Sequence, residues 1–256
     1  MQGKITGMAC VDSTDAERAY RAQICHIGRQ MYHRGLVVAC EGNLSVRLNS
    51  DRMLITPAGM CKGTLAPEQL LITDFDGNVV EGNGKPSSEI RMHLLYYRLR
   101  PDVRAVCHAH PPIATAFAAC GRALEERLLP EVVMSLGRVP LAPYGTPGIA
   151  ELCAGLQPLV PDHDAVLLEN HGVVTCGRNL EKAYFHLETV ERFAEILSTA
   201  ELLGKPRLLT QREIQKLCHA QPCPGREATP RRWAAETWVK FEALLRTALR
   251  LSDVRQ

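Results

Sequence analysis

Two histidines, His108 and His110, stand one residue apart in Cys107-His-Ala-His-Pro111, directly after an apolar run. Alternate residues of an extended segment point to one face, so both imidazoles can reach a single metal ion while Pro111 ends the strand. A third imidazole, His171 in Glu169-Asn-His-Gly172, also follows an apolar strand, and the glycine after it lets backbone come close to a ligand. Three imidazoles around an open fourth position are the donor set of a catalytic zinc, whereas a structural zinc is closed. Taken singly, each histidine also reads as a polar side chain at a strand end.

Glu89 follows Ser87-Ser88 as the first residue of an expected helix, where backbone N–H groups are unpaired and the helix dipole favours negative charge. A plain helix-start acid satisfies that position too. The same terminus with its two hydroxyls is an anion site, and Glu41-Gly-Asn-Leu-Ser45 and Thr56-Pro-Ala-Gly59 offer further donors on turns. Phosphate is the natural ligand for such a set.

Several elements must position these groups. Ala16, Tyr20, Ile24, Ile27 and Met31 recur at helical spacing across residues 12–34, with Gly35 where a left-handed cap would sit. Asn43–Leu48, Met53–Thr56, Leu70–Thr73 and Val79–Val80 are short runs between turn residues, which predicts hairpin-rich antiparallel sheet. The helix opened by Ser87-Ser88-Glu89 stops at Arg100-Pro101. Val103–Cys107 and Ala165–Leu168 read as buried strands, and Glu181–Leu203 as a long amphipathic helix closed by Gly204. After Pro206 the chain changes character. A capping box in Thr210-Gln-Arg-Glu213 opens one helix, and Thr229-Pro230 opens another with Trp238, Phe241 and Leu245 on one stripe. The expected division is a catalytic domain over 1–204 and a helical extension over 205–256, packed on the domain or on a neighbouring subunit.

Composition bounds what the chain can be. With 30 Lys+Arg against 28 Asp+Glu in 256 residues, the net charge of +2 is too small to imply nucleic acid as a partner. The longest run free of charged residues, Ala105–Gly121, carries two histidines and Pro111-Pro112, so no membrane span is expected. The N-terminus lacks the apolar core of a secretion signal, and a cytoplasmic location is expected. Ten cysteines without a C-x-x-C pair read mostly as small buried residues. His26, His33, His93, His163, His186 and His219 show no partner pattern and receive no role, and Tyr144 reads as shaping a turn.

Six motifs then occur in one order: Gly42-Asn-Leu-Ser45, Thr56-Pro-Ala-Gly59, Pro86-Ser-Ser-Glu89, His108-Ala-His110, Ala142-Pro-Tyr144 and Asn170-His-Gly172. In this the chain resembles the class II aldolase/adducin family, on the side of the L-fuculose-1-phosphate aldolases, over about residues 16–204. The resemblance implies an α/β/α sandwich around a mostly antiparallel sheet and a homotetramer with sites at subunit interfaces. It also implies that His108, His110 and His171 hold a divalent metal, zinc first, with manganese, iron or cobalt as alternatives. Glu89 matches the family's acid/base, and Asn43, Ser45, Gly59, Ser87 and Ser88 fall on phosphate- or substrate-binding positions.

Three departures from the family pattern stand out. Ala58 replaces a hydroxyl residue and leaves only its backbone N–H. The tyrosine that serves the departing C4 oxygen falls near Leu129-Pro-Glu131, where none stands, which makes Glu131 the candidate for that role or for a metal contact. No tyrosine follows Tyr184, and the tail offers Trp233 and Trp238 instead. The implied reaction is cleavage of a ketose 1-phosphate, fuculose 1-phosphate or a 5-deoxy or 5-methylthio pentulose 1-phosphate, to dihydroxyacetone phosphate and an aldehyde. A divalent cation would stabilise the enediolate as a Lewis acid, with Glu89 protonating carbon. The same scaffold also carries pentulose-phosphate 4-epimerases, methylthioribulose-1-phosphate dehydratases and 3-oxo-tetronate-phosphate decarboxylases. An adducin-like binding module without catalysis is the remaining alternative.

Overall fold

The computed structural model describes residues 13–220. Helical spacing of apolar residues folds Ser13–His33 into α1, which buries Ile24, Ile27 and Met31. Next come the strands β1 (Asn43–Arg47), β2 (Arg52–Ile55), β3 (Leu71–Asp74) and β4 (Val79–Glu81), an antiparallel meander as expected. α2 (Ile90–Leu99) leads into β5 (Ala105–Ala109), α3 (Pro112–Ala119), α4 (Pro130–Ser135), β6 (Leu141–Ala142) and α5 (Ala150–Leu156). β7 (Ala165–Leu168) and β8 (Gly172–Gly177) precede the long α6 (Leu180–Leu203) and α7 (Gln211–Ala220).

The eight strands form one sheet in the order β4-β3-β2-β1-β5-β8-β7-β6, antiparallel except for β6 beside β7. Helices cover both faces, so successive strand residues are buried on opposite sides. Leu44, Val46, Cys107, Ala109, Leu167 and Val173 pack in the cluster that contains α1, α3 and α6. Met53, Ile55, Val106, Val166 and Val174 pack in the cluster of α2 and α5. This is the three-layer α/β/α sandwich that the sequence implies.

Two boundaries move. Val103 N–H closes a turn onto Arg100 O at 3.1 Å, so the expected strand at 103–107 starts at Ala105 and runs to Ala109. The helix after Ser88 starts at Ile90, with Glu89 as its cap. The capping box is present: Thr210 N–H donates to Glu213 Oε2 at 2.8 Å and Glu213 N–H to Thr210 Oγ1 at 3.3 Å. Leu209 N–H reaches back to Arg127 O at 2.7 Å and ties this segment to the body. The expected helix from Thr229, with Trp233 and Trp238, lies outside the described residues. Cys25, Cys107, Cys153 and Cys176 are buried and free, as the cysteine spacing suggests, whereas Cys40 and Cys120 are exposed. Among the described residues no helix is long and apolar enough to cross a membrane.

Candidate metal and acid/base site

One polar stripe runs along β1. Along β1, Leu44 and Val46 face one layer, so Asn43, Ser45 and Arg47 face α2, where Glu89, His93 and Tyr97 recur every four residues. A strand period of two thus meets a helix period near four, and the contacts climb in register. Asn43 touches Glu89 and His93, Ser45 touches His93 and Tyr97, and Arg47 bonds the Tyr97 carbonyl.

The β1–β5 register places Asn43 opposite His108, which brings the cap of α2 to the end of β5. His108 Nε2 lies 3.1 Å from Glu89 Oε2, His171 Nε2 lies 3.1 Å from Glu89 Oε1, and His110 Nε2 lies 3.1 Å from His108 Nε2. Centroids of the three rings stand 4.8 to 5.0 Å apart. His171 arrives through the short β7–β8 turn, in which Asn170 adopts a left-handed conformation at φ 54°.

Gly172 then passes so close to β5 that a Cβ there would sit 2.5 Å from Ala109 O and 2.6 Å from the His110 ring. The glycine after His171 is therefore needed for the close approach of backbone to β5 and the His110 ring, where the sequence suggested approach to a ligand. Gly172→Ala is expected to destabilise the fold by about 1–3 kcal/mol, as overpacking does. A thermal melt checks it, and an unchanged Tm would show that β5 yields freely.

The donor set fits a metal. His108 Nδ1 lies 2.9 Å from Val173 O and donates to it, which fixes the ring with Nε2 turned to the centre, where it meets Glu89 Oε2 at 3.1 Å and would face a metal. His110 Nε2 turns to the same atom at 3.1 Å, and His171 Nδ1 is buried without a hydrogen-bond partner. Burial alone would raise the Glu89 pKa, but the His108 charge and hydrogen bonds from His108 and His171 hold it well below the usual carboxylate range. Burial alone would lower His108, and the Glu89 carboxylate raises it instead. Burial and the charges of His108 and His171 push His110 down to about 4. An ionised Glu89 among three inward rings calls for positive charge at the centre, which a proton on His108 or a divalent cation can supply.

The residues expected to bind an anion lie along the chain from β1 to the start of α2. Pro57 and Pro86 form an antiparallel bridge, which joins the turn at Gly59 to Ser87 and Ser88. Gly59 and Ser88 are exposed and Ser87 is nearly buried. Ser87 Oγ accepts from Asn43 Nδ2 at 3.0 Å and from Glu89 N–H at 3.2 Å, so its own hydrogen stays available to an anion.

Other expectations shift. Ala58 N–H donates to Lys85 O at 2.9 Å and is not free for phosphate. Asn43 spends both amide hydrogens on Ser87 and Glu89, so it orients the Glu89 carboxylate more directly than it could hold phosphate. Ser45 is fully buried with its hydroxyl between His93 and Tyr97, one layer below the site, and offers nothing to a substrate. Glu131 stands exposed on α4, in a groove with Arg34, Glu188 and Arg192 that includes none of the three histidines. Within its own chain it stands apart from the three histidines.

Two residues escaped the sequence reading. His93 is fully buried beneath Asn43, with burial first and the His108 charge second pushing its pKa down to about 3. Lys62 is buried as well. Its Nζ donates to Cys40 O at 2.8 Å and Met60 O at 2.7 Å, pinning the loop before Asn43 to the loop after Gly59. Glu89, Asn43 and Ser45 spaced against His93 and Tyr97 were the available signal for the first; a lone lysine between Cys61 and Gly63 carried none for the second.

Known proteins share this sequence pattern and fold. The sequence profile described as Class II Aldolase and Adducin N-terminal domain matches residues 22–198. The chain is 37% identical to a 3-oxo-tetronate 4-phosphate decarboxylase of Escherichia coli K12, over 80% of this chain and 98% of the relative. It is 36% identical to a 5-deoxy-D-ribulose 1-phosphate aldolase of Bacillus thuringiensis, over 77% and 92% of the two chains. A solved L-fuculose 1-phosphate aldolase superposes with a TM-score of 0.72 at 32% identity, covering 78% of this chain and 94% of that one.

Proposed function

The chain belongs to the class II aldolase and adducin family, and from that premise we propose that it is a metal-dependent carbon–carbon lyase releasing dihydroxyacetone phosphate, with a phosphorylated 3-oxo acid as its substrate. The observation that carries this reading is the Glu89 carboxylate held 3.1 Å from two of three convergent histidines. His108, His110 and His171 would hold the divalent cation, zinc first, with manganese, iron and cobalt admitted by the same donors. Such a cation supplies Lewis acidity that stabilises negative charge developing on the substrate's oxygens.

The protein's own residues do the rest. The Gly59 turn and the Ser87 and Ser88 hydroxyls bind the phosphate, and the buried Lys62 side chain pins the loop that follows Gly59. In 3-oxo-tetronate 4-phosphate, breaking the bond between C1 and C2 expels carbon dioxide and leaves the electron pair as the enediolate of dihydroxyacetone phosphate. Glu89 is ionised in the substrate-free site, so it must first take up a proton from solvent, which it then delivers to C2. Retro-aldol cleavage of a ketose 1-phosphate passes through the same enediolate and uses the same proton.

The difference lies in the departing half. A departing aldehyde requires a base to take the C4 hydroxyl proton, and Leu129-Pro-Glu131 holds no tyrosine for it. Departing carbon dioxide needs none, which favours decarboxylation and reverses the order expected from sequence. The aldolase reading retains the support of the 36% identity to the deoxyribulose phosphate enzyme. It would take Glu131 of a neighbouring chain as the base, in the homotetramer with interface sites that the family resemblance implies. A cytoplasmic location accords with either substrate.

Because both reactions release dihydroxyacetone phosphate, the test must identify the other product. Purified protein is loaded with zinc or manganese and given 3-oxo-tetronate 4-phosphate, fuculose 1-phosphate, and the 5-deoxy and 5-methylthio pentulose 1-phosphates. Carbon dioxide with dihydroxyacetone phosphate is the expected result. An aldehyde in its place establishes the aldolase, and no dihydroxyacetone phosphate from any substrate overturns both.

A further inference from the structure

Four hydrogen bonds run from the middle of the α2 layer up to Glu89. Tyr97 OH lies 2.7 Å from Ser45 Oγ, Ser45 Oγ 2.6 Å from His93 Nδ1, His93 Nε2 2.5 Å from Asn43 Oδ1, and Asn43 Nδ2 2.8 Å from Glu89 Oε2. The far end is fixed, because the Arg47 guanidinium lies 4.9 Å over the Tyr97 ring and 5.1 Å over Phe75. All five residues of the chain are buried.

The direction of every hydrogen follows from the end nearest the site. Asn43 Nδ2 reaches both Ser87 Oγ, at 3.0 Å, and Glu89 Oε2, at 2.8 Å, so the amide presents its NH2 there and its carbonyl to His93. That carbonyl only accepts, so His93 must carry its proton on Nε2. Nδ1 is then a lone pair, which takes the Ser45 hydroxyl hydrogen, and Ser45 accepts from Tyr97.

We infer that His93, held as the neutral Nε2–H tautomer by Ser45 and Tyr97, is a positioning residue that locks the Asn43 amide with its NH2 toward Glu89. In the opposite tautomer the His93 Nε2 lone pair would turn the Asn43 NH2 inward and set its carbonyl oxygen against the Glu89 carboxylate. The acid/base residue would then lose its aim without losing a ligand, a metal or a phosphate contact. This inference rests on the role proposed for Glu89, and it extends that role to residues that touch no substrate.

The test uses full-length protein with 15N-labelled histidine and two variants. The His93 signal, assigned by its loss in His93→Gln, should show a proton on Nε2 and none on Nδ1. Ser45→Ala removes the donor to Nδ1 at little cost in volume. It should mix the two tautomers and lower kcat about tenfold, the worth of one hydrogen bond to a charged group, with KM within about twofold. His93→Gln keeps an N–H near the reach of Nε2 and should retain most of kcat. A proton on Nδ1, a doubly protonated ring, or a Ser45→Ala protein with mixed tautomers and unchanged kcat overturns the inference. The tautomer is read without substrate, so a protein with the expected ring state but no lyase activity fails the proposed function alone.

Discussion

Replacing His108 by alanine is expected to bring the bound metal close to zero and to lower lyase activity by at least about a thousandfold, because several kcal/mol of Lewis-acid stabilisation go with the ion. His108 is fully buried, and its ring is oriented by the bond to Val173 O. Its removal takes away one ligand of three and also leaves the Glu89 carboxylate without a neighbour it meets at 3.1 Å. The cavity adds a stability cost of about 2–4 kcal/mol, so a thermal melt belongs beside the assay. His110→Ala separates the two effects, because His110 is part-exposed at the strand end. It should lose metal and activity to a similar degree with a smaller change in Tm. Chelation of the unaltered protein should match the loss, and added zinc or manganese should restore it. Full activity in a metal-free preparation would end the metal-dependent reading.

The histidine constellation was legible in the sequence because its signal is local. Strand alternation puts His108 and the adjacent His110 side by side wherever the strand goes, and an apolar run before His171 marks a second strand end. Meeting of the two ends is a matter of sheet order, and β8 lies next to β5 although more than sixty residues separate them. No spacing rule shows that neighbour relation. The ordered motifs supplied it through family resemblance, and the observed register accounts for it physically.

Ser45 and His93 show where such reading stops. A serine in a turn-rich run beside an asparagine looks like an anion donor, and a lone helical histidine looks inert. Both judgements change once β1 is known to lie under α2, for then Asn43, Ser45 and Arg47 must face Glu89, His93 and Tyr97. Short elements were missed for another reason. α4 and α5 span only six and seven residues, too few turns for a helical period to repeat, and tertiary packing of Val132 and Leu152 decides them.

Glu89→Gln should reduce kcat by about a thousandfold, within the range that a positioned acid/base contributes, while the metal stays bound. The substitution conserves shape, and the glutamine carbonyl can still accept the Asn43 N–H that now reaches Oε2 at 2.8 Å. The three histidines remain, so metal content and fold should change little. What disappears is the group that carries a proton to the carbon of the enediolate. Intermediate that forms would then be protonated slowly by water or would revert. Exchange of solvent deuterium into dihydroxyacetone phosphate reads the carbon protonation step directly, without the bond cleavage, and should be lost in the same proportion as kcat. Glu89→Asp tests the aim of the group apart from its chemistry. Shortened by one methylene, the carboxylate cannot keep both the Asn43 contact and its approach to His108 and His171, so kcat should again fall while acid/base chemistry remains available. If Glu89→Gln exchanged deuterium at the unaltered rate, the proton would have to come from another group. His110, the most exposed of the three rings and paired with Glu41 at 3.6 Å, would then be the residue to replace next.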